Sequence, residues 1–253
     1  MAEADARFLT KTRRGADLSL VNVNELVLVQ GMADTKATLA EWNLRPWPVF
    51  RTWLFWSLMT ALGLLGAVWV VAKLSTPDPS PVVIPGIGRD PTMGDAGHLL
   101  FRNSLVLALH SMACVAGFLA GSTMPRQAAV RNGLSRWVHE KAGRFAIAFV
   151  IGATTFSLCT QAYALGHSAS TVAYHLGISP GRLLIGLSLH AVPELAALFL
   201  PLAAWVVASR RGDWHKLLAA TVVTTAVAAP VLVIACLVEV YVSPHVIIAL
   251  SGG

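Results

Sequence analysis

Residues 216–242 read KLLAATVVTTAVAAPVLVIACLVEVYV and carry charge only at Lys216 and Glu239. At about 1.5 Å per residue, a helix over this stretch crosses the ~30 Å hydrocarbon core of a bilayer. Four more stretches share its character: 53–74, 99–121, 145–166 and 182–208. Five such runs in 253 residues predict an all-α, polytopic membrane helix bundle with about five transmembrane helices. Residues 1–52 form a polar N-terminal segment on the cytoplasmic or interfacial side, and 53–253 form the transmembrane domain.

Composition agrees. Apolar residues make up 55% of the chain and charged residues 13%, about half the charge that a soluble domain spends on its surface. The mean hydropathy is +0.64. The net charge of +6 does not point to nucleic acid, because the basic residues are scattered between apolar runs and not gathered on one face. Fifteen of the 19 Lys and Arg residues fall in the N-terminal segment and in the second and fourth loops. By the positive-inside rule this puts the N-terminus in the cytoplasm and the C-terminus outside. Six tryptophans (47, 53, 56, 137, 205 and 214) mark expected cytoplasmic helix ends, and Trp69 an outer one. The first 45 residues contain no early apolar run, so no cleavable signal peptide is expected.

The first external loop, 75–98, holds Pro77, Pro79, Pro81, Pro85 and Pro91 and is expected to be extended. A surface helix is expected over 127–140, and one or two interfacial helices within 18–42. Cys114, Cys159 and Cys236 all lie in apolar runs and read as buried small hydrophobes, not as a disulfide framework.

Four spans carry polar or small residues on one helical face, and these faces are expected to turn inward, leaving the first span most exposed to lipid. The second has Asn103 and His110, then Ala113, Gly117 and Gly121, a small-xxx-small series that favours close helix packing. The third has Thr154, Ser157 and Gln161. The fourth has His190 and Glu194, spaced to pair with each other at i and i+4, and the fifth has Glu239. By depth, Asn103, His110, Gln161, His190, Glu194 and Glu239 gather in the outer half of one bundle. Ionisable groups at such depth are costly unless paired. Three readings stand open: a hydrogen-bonded knot that fixes packing, a proton or substrate path, and a metal site. The HExxH, GxSxG, P-loop and dinucleotide motifs are missing from the sequence. No catalytic residue, cofactor or metal is therefore assigned. His98, His167, His175 and His245 fall in external loops and read as solvated.

Residues 188–197, SLHAVPELAA, and 237–244, LVEVYVSP, carry a resemblance. Together with Phe101, Arg102 and Asn103, Gly117, Gly121, and Asn132 with Gly133, they resemble the stage II sporulation protein M family of bacterial membrane proteins. The family pattern is Pro-His-Gly-x-x-Glu-Leu-Pro-Ala, followed by a last span ending in Glu near an aromatic and a Pro. His190, Glu194, Leu195, Glu239 and Pro244 match it. Ala191 replaces the glycine, and Pro193 precedes the glutamate where the family has a proline after the leucine. The resemblance covers roughly residues 95–245. It implies a multi-pass protein of the bacterial cytoplasmic membrane that acts as a non-enzymatic scaffold or assembly factor for other membrane proteins. A permease-like subunit coupled to a cytoplasmic ATPase is the alternative, and an intramembrane metal-dependent hydrolase a weaker one. The small-residue faces also predict a homo-oligomer, with the lipid bilayer as the surrounding solvent and no nucleic-acid partner.

Overall fold

In the computed structural model, residue 29 and residues 31–80, 84–124 and 132–252 are described. Helix α1 (31–44) leads into α2 (Pro46–Leu74). A two-residue parallel pairing of Ile84–Pro85 with Gly88–Arg89 precedes α3 (Met93–Phe118), which runs into a π turn, Leu119–Thr123. Then come α4 (Gly133–His175), α5 (Pro180–Arg211), a 3-10 turn (Trp214–Lys216), α6 (Leu217–Tyr241) and the short α7 (Ser243–Ser251). Five of these helices are long and apolar enough to cross a membrane, as the sequence predicts. An odd number of spans leaves the two ends of the bundle's chain on opposite faces.

Helix α5 is the hub. Ala196, Ala197, Ala203 and Ala204 let α2, α3 and α6 approach it closely, and its run from residue 196 to 205 is buried throughout. Pro201 sits inside the helix, where it removes a backbone donor and opens the ladder. Three carbonyls around it take side-chain donors from neighbouring helices: Ala196 O from Ser57 Oγ, Leu198 O from His110 Nδ1 at 2.7 Å, and Pro201 O from Cys114 Sγ at 3.1 Å. These bonds fasten α2 and α3 to α5 on either side of the proline.

The ends are set by local chemistry. Ser179 caps α5 by accepting from the Arg182 N–H, and Pro180 takes the first turn. At the other end Gly212 adopts φ +74°, and the Asp213 N–H bonds Ala208 O at 3.0 Å. Thr92 and Asp95 form a capping box on α3.

Several expectations are corrected. The third span, not the first, is the most exposed: 6% of its apolar stretch is buried, against 22% for α2 and 44% for α5. Trp53, Ser57, Ala61, Leu64, Val68 and Ala72 give α2 a continuous buried face. The third span also continues past Gly166 to His175. Its last turns are held by the first external loop, where Ser170 Oγ donates to Ser75 O (3.1 Å) and the Asp78 N–H donates to Thr171 Oγ1 (3.1 Å). Outside the helices, the backbone N–H of Ser80 holds the Asp78 carboxyl below the usual carboxylate range.

The expected surface helix over 127–140 is, from Gly133 on, the start of α4 itself; 125–131 lie outside the described residues. Of the helices expected within 18–42, the described part is α1, whose Trp42 packs edge-on against Trp53 (centroids 5.1 Å apart). Among its described residues, the first external loop is non-helical as expected only up to Thr92. Trp53 and Trp205 are buried core residues, not boundary residues, and Cys159 is exposed while Cys114 and Cys236 are buried.

Candidate functional site

Helical spacing puts His190 and Glu194 one turn apart on the inward face of α5. Glu239 lies in the last turns of α6, opposite them. Helix α7 crosses the outer end of α5 at Gly186, where an added Cβ would sit 2.9 Å from Ile247 Cγ1. That crossing delivers Ser243 to His190. The first external loop closes over α7 at Gly86, which needs φ +80° and whose place admits no Cβ beside Pro244. Arg89 on this loop pairs with Asp95 at the start of α3, and the pair holds the guanidinium above its ordinary value.

His190 is buried, with Nδ1 2.7 Å from Ser243 Oγ and Nε2 3.9 Å from Glu239 Oε2. Glu194 accepts at Oε1 from Asn103 Nδ2 (2.9 Å), which also lies 3.6 Å from Cys236 Sγ. Glu194 Oε2 is buried without a hydrogen-bond partner. One ligand atom from each of His190, Glu194 and Glu239 lies within 4.8 Å of the others. Among the described residues, Glu239 has His190 as its sole ion-pair partner.

His190, Glu194, Glu239 and Ser243 line a cavity of about 500 Å³. Its walls are mostly leucine, valine and alanine from α2, α4 and α5, closed by Pro244 and Ile247 of α7, with Asp95 and His98 towards the rim. Exposed Leu165 and Ser168 of α4 and His98 of α3 frame its mouth. The cavity lies between the C-terminal ends of α2, α4 and α6 and the N-terminal ends of α3 and α5. The charge rule makes that side the outer half.

Asn103, His190, Glu194 and Glu239 therefore come together. His190 and Glu194 do not pair with each other as expected; each takes a partner from another helix instead. His110 stands apart, on the seam of α3 and α5, with its ring 5.6 Å from that of Phe199. Gln161 is not in the cluster. Its Nε2 donates to Ser157 Oγ at 2.9 Å, on the outward side of α4. Of the inward turn expected for Thr154, Ser157 and Gln161, Ser157 departs, being exposed, while Thr154 and Gln161 are half-buried; the Ser157–Gln161 pair satisfies itself locally.

Ser243 and Cys236 complete the site without having been singled out in the sequence. Cys236 was visible as the residue one turn before Glu239; nothing in the local pattern marks Ser243. The small-residue face works differently from expectation too. At Gly117 a Cβ would stand 2.6 Å from Trp205 Nε1 and 2.8 Å from Leu217 Cδ1, and Gly121 faces the Trp214 ring. Indole rings, not a helix backbone, fill the groove beside them; Ala113 is half-buried a turn away. The histidines expected in external loops lie instead in helices, His98 in α3, His167 and His175 in α4 and His245 in α7; His175 bonds Asp78 O (3.1 Å), His245 bonds Tyr241 O (2.9 Å), and His167 stacks on Tyr163.

No family model, curated protein or solved structure matches this chain.

Proposed function

We propose that this multi-pass membrane protein is a non-enzymatic scaffold or assembly factor of the bacterial cytoplasmic membrane, of the stage II sporulation protein M type, which docks other membrane proteins along α4. The outward side of α4 carries this reading. Ser157, Thr160 and Gln161 bond within the helix, but an amide has a second donor and an oxygen acceptor that hydrocarbon cannot satisfy, and a partner helix supplies both. Helix α4 presents Ser157, Thr160 and Gln161 there, beside exposed Phe156, Cys159 and Tyr163. A span with so little of its surface inside its own bundle is built to be covered from outside. The resemblance adds support, since His190, Glu194, Glu239 and Pro244, on which it rests, all line one cavity.

Cys159 is the one exposed cysteine among the described residues, so the test needs no new handle. Labelled there with a benzophenone maleimide in native membranes and irradiated, the chain should form discrete covalent protein adducts. Gln161→Leu should lower their yield several-fold. Adducts to lipid alone would overturn the reading, and their mass separates a second copy from a different protein.

The permease reading, with a cytoplasmic ATPase, draws on the cavity. Below Glu194, however, Phe199, Leu200 and Leu217 are fully buried and fill the inner half of the bundle. The cavity is a recess from the outer side, which suits a docking or ligand pocket better than a path.

A further inference from the structure

We infer that His190, Glu194 and Glu239 form a binding site for one divalent cation of the zinc class, with an open coordination position facing the outer cavity. This goes beyond the docking role of α4, which stands or falls independently.

The argument begins with charge. Glu194, Glu239 and the His190 imidazole share the depth of a recess whose walls are mostly aliphatic, with Asp95, His98 and Ser168 towards its rim and the Arg102 charge near Glu239. Among the described residues, no lysine or arginine forms an ion pair with either carboxylate. A dication would neutralise two carboxylates in a region where uncompensated charge is expensive.

Geometry agrees. Zinc bonds to nitrogen and oxygen of about 2.0–2.2 Å put tetrahedral ligand atoms roughly 3.4 Å apart. The three ligand atoms here lie within 4.8 Å of one another, and His190 Nε2 is 3.9 Å from Glu239 Oε2. That separation is too long for a hydrogen bond, and a small rotation of the two glutamates closes it around an ion. Glu194 Oε2 is buried and lacks any partner, which singles it out as a free ligand atom.

The surrounding shell is also of the right kind. His190 engages Ser243 Oγ through Nδ1, which fixes the ring and leaves Nε2 towards the carboxylates. Asn103 Nδ2 holds the other Glu194 oxygen. Three protein ligands beside a cavity of about 500 Å³ leave a fourth position for water or an oxygen ligand. The imidazole argues against magnesium and calcium, which prefer all-oxygen sets.

The test uses the full chain, purified in detergent and stripped with chelator. Titration with cobalt(II) should produce visible d–d absorption that saturates at one ion per chain and is displaced by zinc. Glu239→Gln and Glu194→Gln, which keep side-chain shape, should each abolish the saturable spectrum while helicity by circular dichroism is unchanged. Ser243→Ala, which touches no ligand atom, should weaken binding about 10- to 100-fold. No saturable spectrum in the folded parent chain would overturn the site. So would a stoichiometry or affinity untouched by both glutamine variants, the mark of an adventitious ion only.

Discussion

Asn103 Nδ2 on α3 lies 2.9 Å from Glu194 Oε1 on α5, a hydrogen bond that joins two helices 91 positions apart in the chain. With the other Glu194 oxygen unpartnered, this amide is, among the described residues, the one side-chain donor that supports the carboxyl group. Asn103→Leu should therefore cost about 1.5–3 kcal/mol, the worth of a hydrogen bond to such a group in dry surroundings. In a chain of this size that lowers the unfolding midpoint by several degrees. Asn103→Asp should cost more, because it sets a second carboxylate against the first. Thermal unfolding in one detergent checks the order. A leucine variant as stable as the parent would remove Asn103 from the cluster's support.

His110 makes a separate prediction. Its Nδ1–H donates to Leu198 O, one of the carbonyls around Pro201. His110→Phe keeps the ring's contact with Phe199 but removes the donor, and should cost about 0.5–1.5 kcal/mol through the lost bond between helices. His110→Asn, which retains a donor, should recover part of the loss. Cation binding at His190 should be unchanged in both variants, since His110 is not among the residues that line the cavity.

The side of the membrane on which the cavity opens is tested by labelling. In a Cys159→Ser background, Ser251→Cys should react with an impermeant maleimide applied outside intact cells. Arg136→Cys and Asp213→Cys should react only after permeabilisation. The reverse pattern would turn the bundle over and place the cavity in the inner half.

The spans were legible because hydrocarbon imposes a composition that no soluble fold needs, and 216–242 shows it without interruption. His190, Glu194 and Glu239 were legible for the same reason: charge inside such runs has to be explained by a partner. The third span misled on two counts. Its polarity rises after Gly166, at His167, Ser168, Ser170 and Thr171, and hydropathy takes that as a loop. The helix persists because Ser75 and Asp78, some 90 positions away, supply the partners of its last turns. Gln161 looked inward-facing because a polar side chain in a span needs a partner, and the sequence does not say that Ser157, on the same helix, provides it. Ser243 escaped notice because its role comes from the crossing of α7 over α5, a tertiary event with no local signature.

The glycines of α3 and α4 make a paired prediction about packing. At Gly117 an added Cβ meets Trp205 Nε1 at 2.6 Å and Leu217 Cδ1 at 2.8 Å, both belonging to side chains buried in the core. Trp205 Nε1 is itself without a hydrogen-bond partner, so close packing is what holds the ring in place. Gly117→Ala should thus strain the seam between α3, α5 and α6 by about 1–3 kcal/mol, as overpacking of a filled core does. Gly152 on α4 has no atom within 4 Å of its would-be Cβ. Gly152→Ala should gain up to about 1 kcal/mol from helix propensity alone. Opposite shifts of the unfolding midpoint for the two alanine variants would match these surroundings. A Gly117→Ala chain as stable as the parent would mean that the indole of Trp205 can move aside, and that Gly117 serves some purpose other than making room for it.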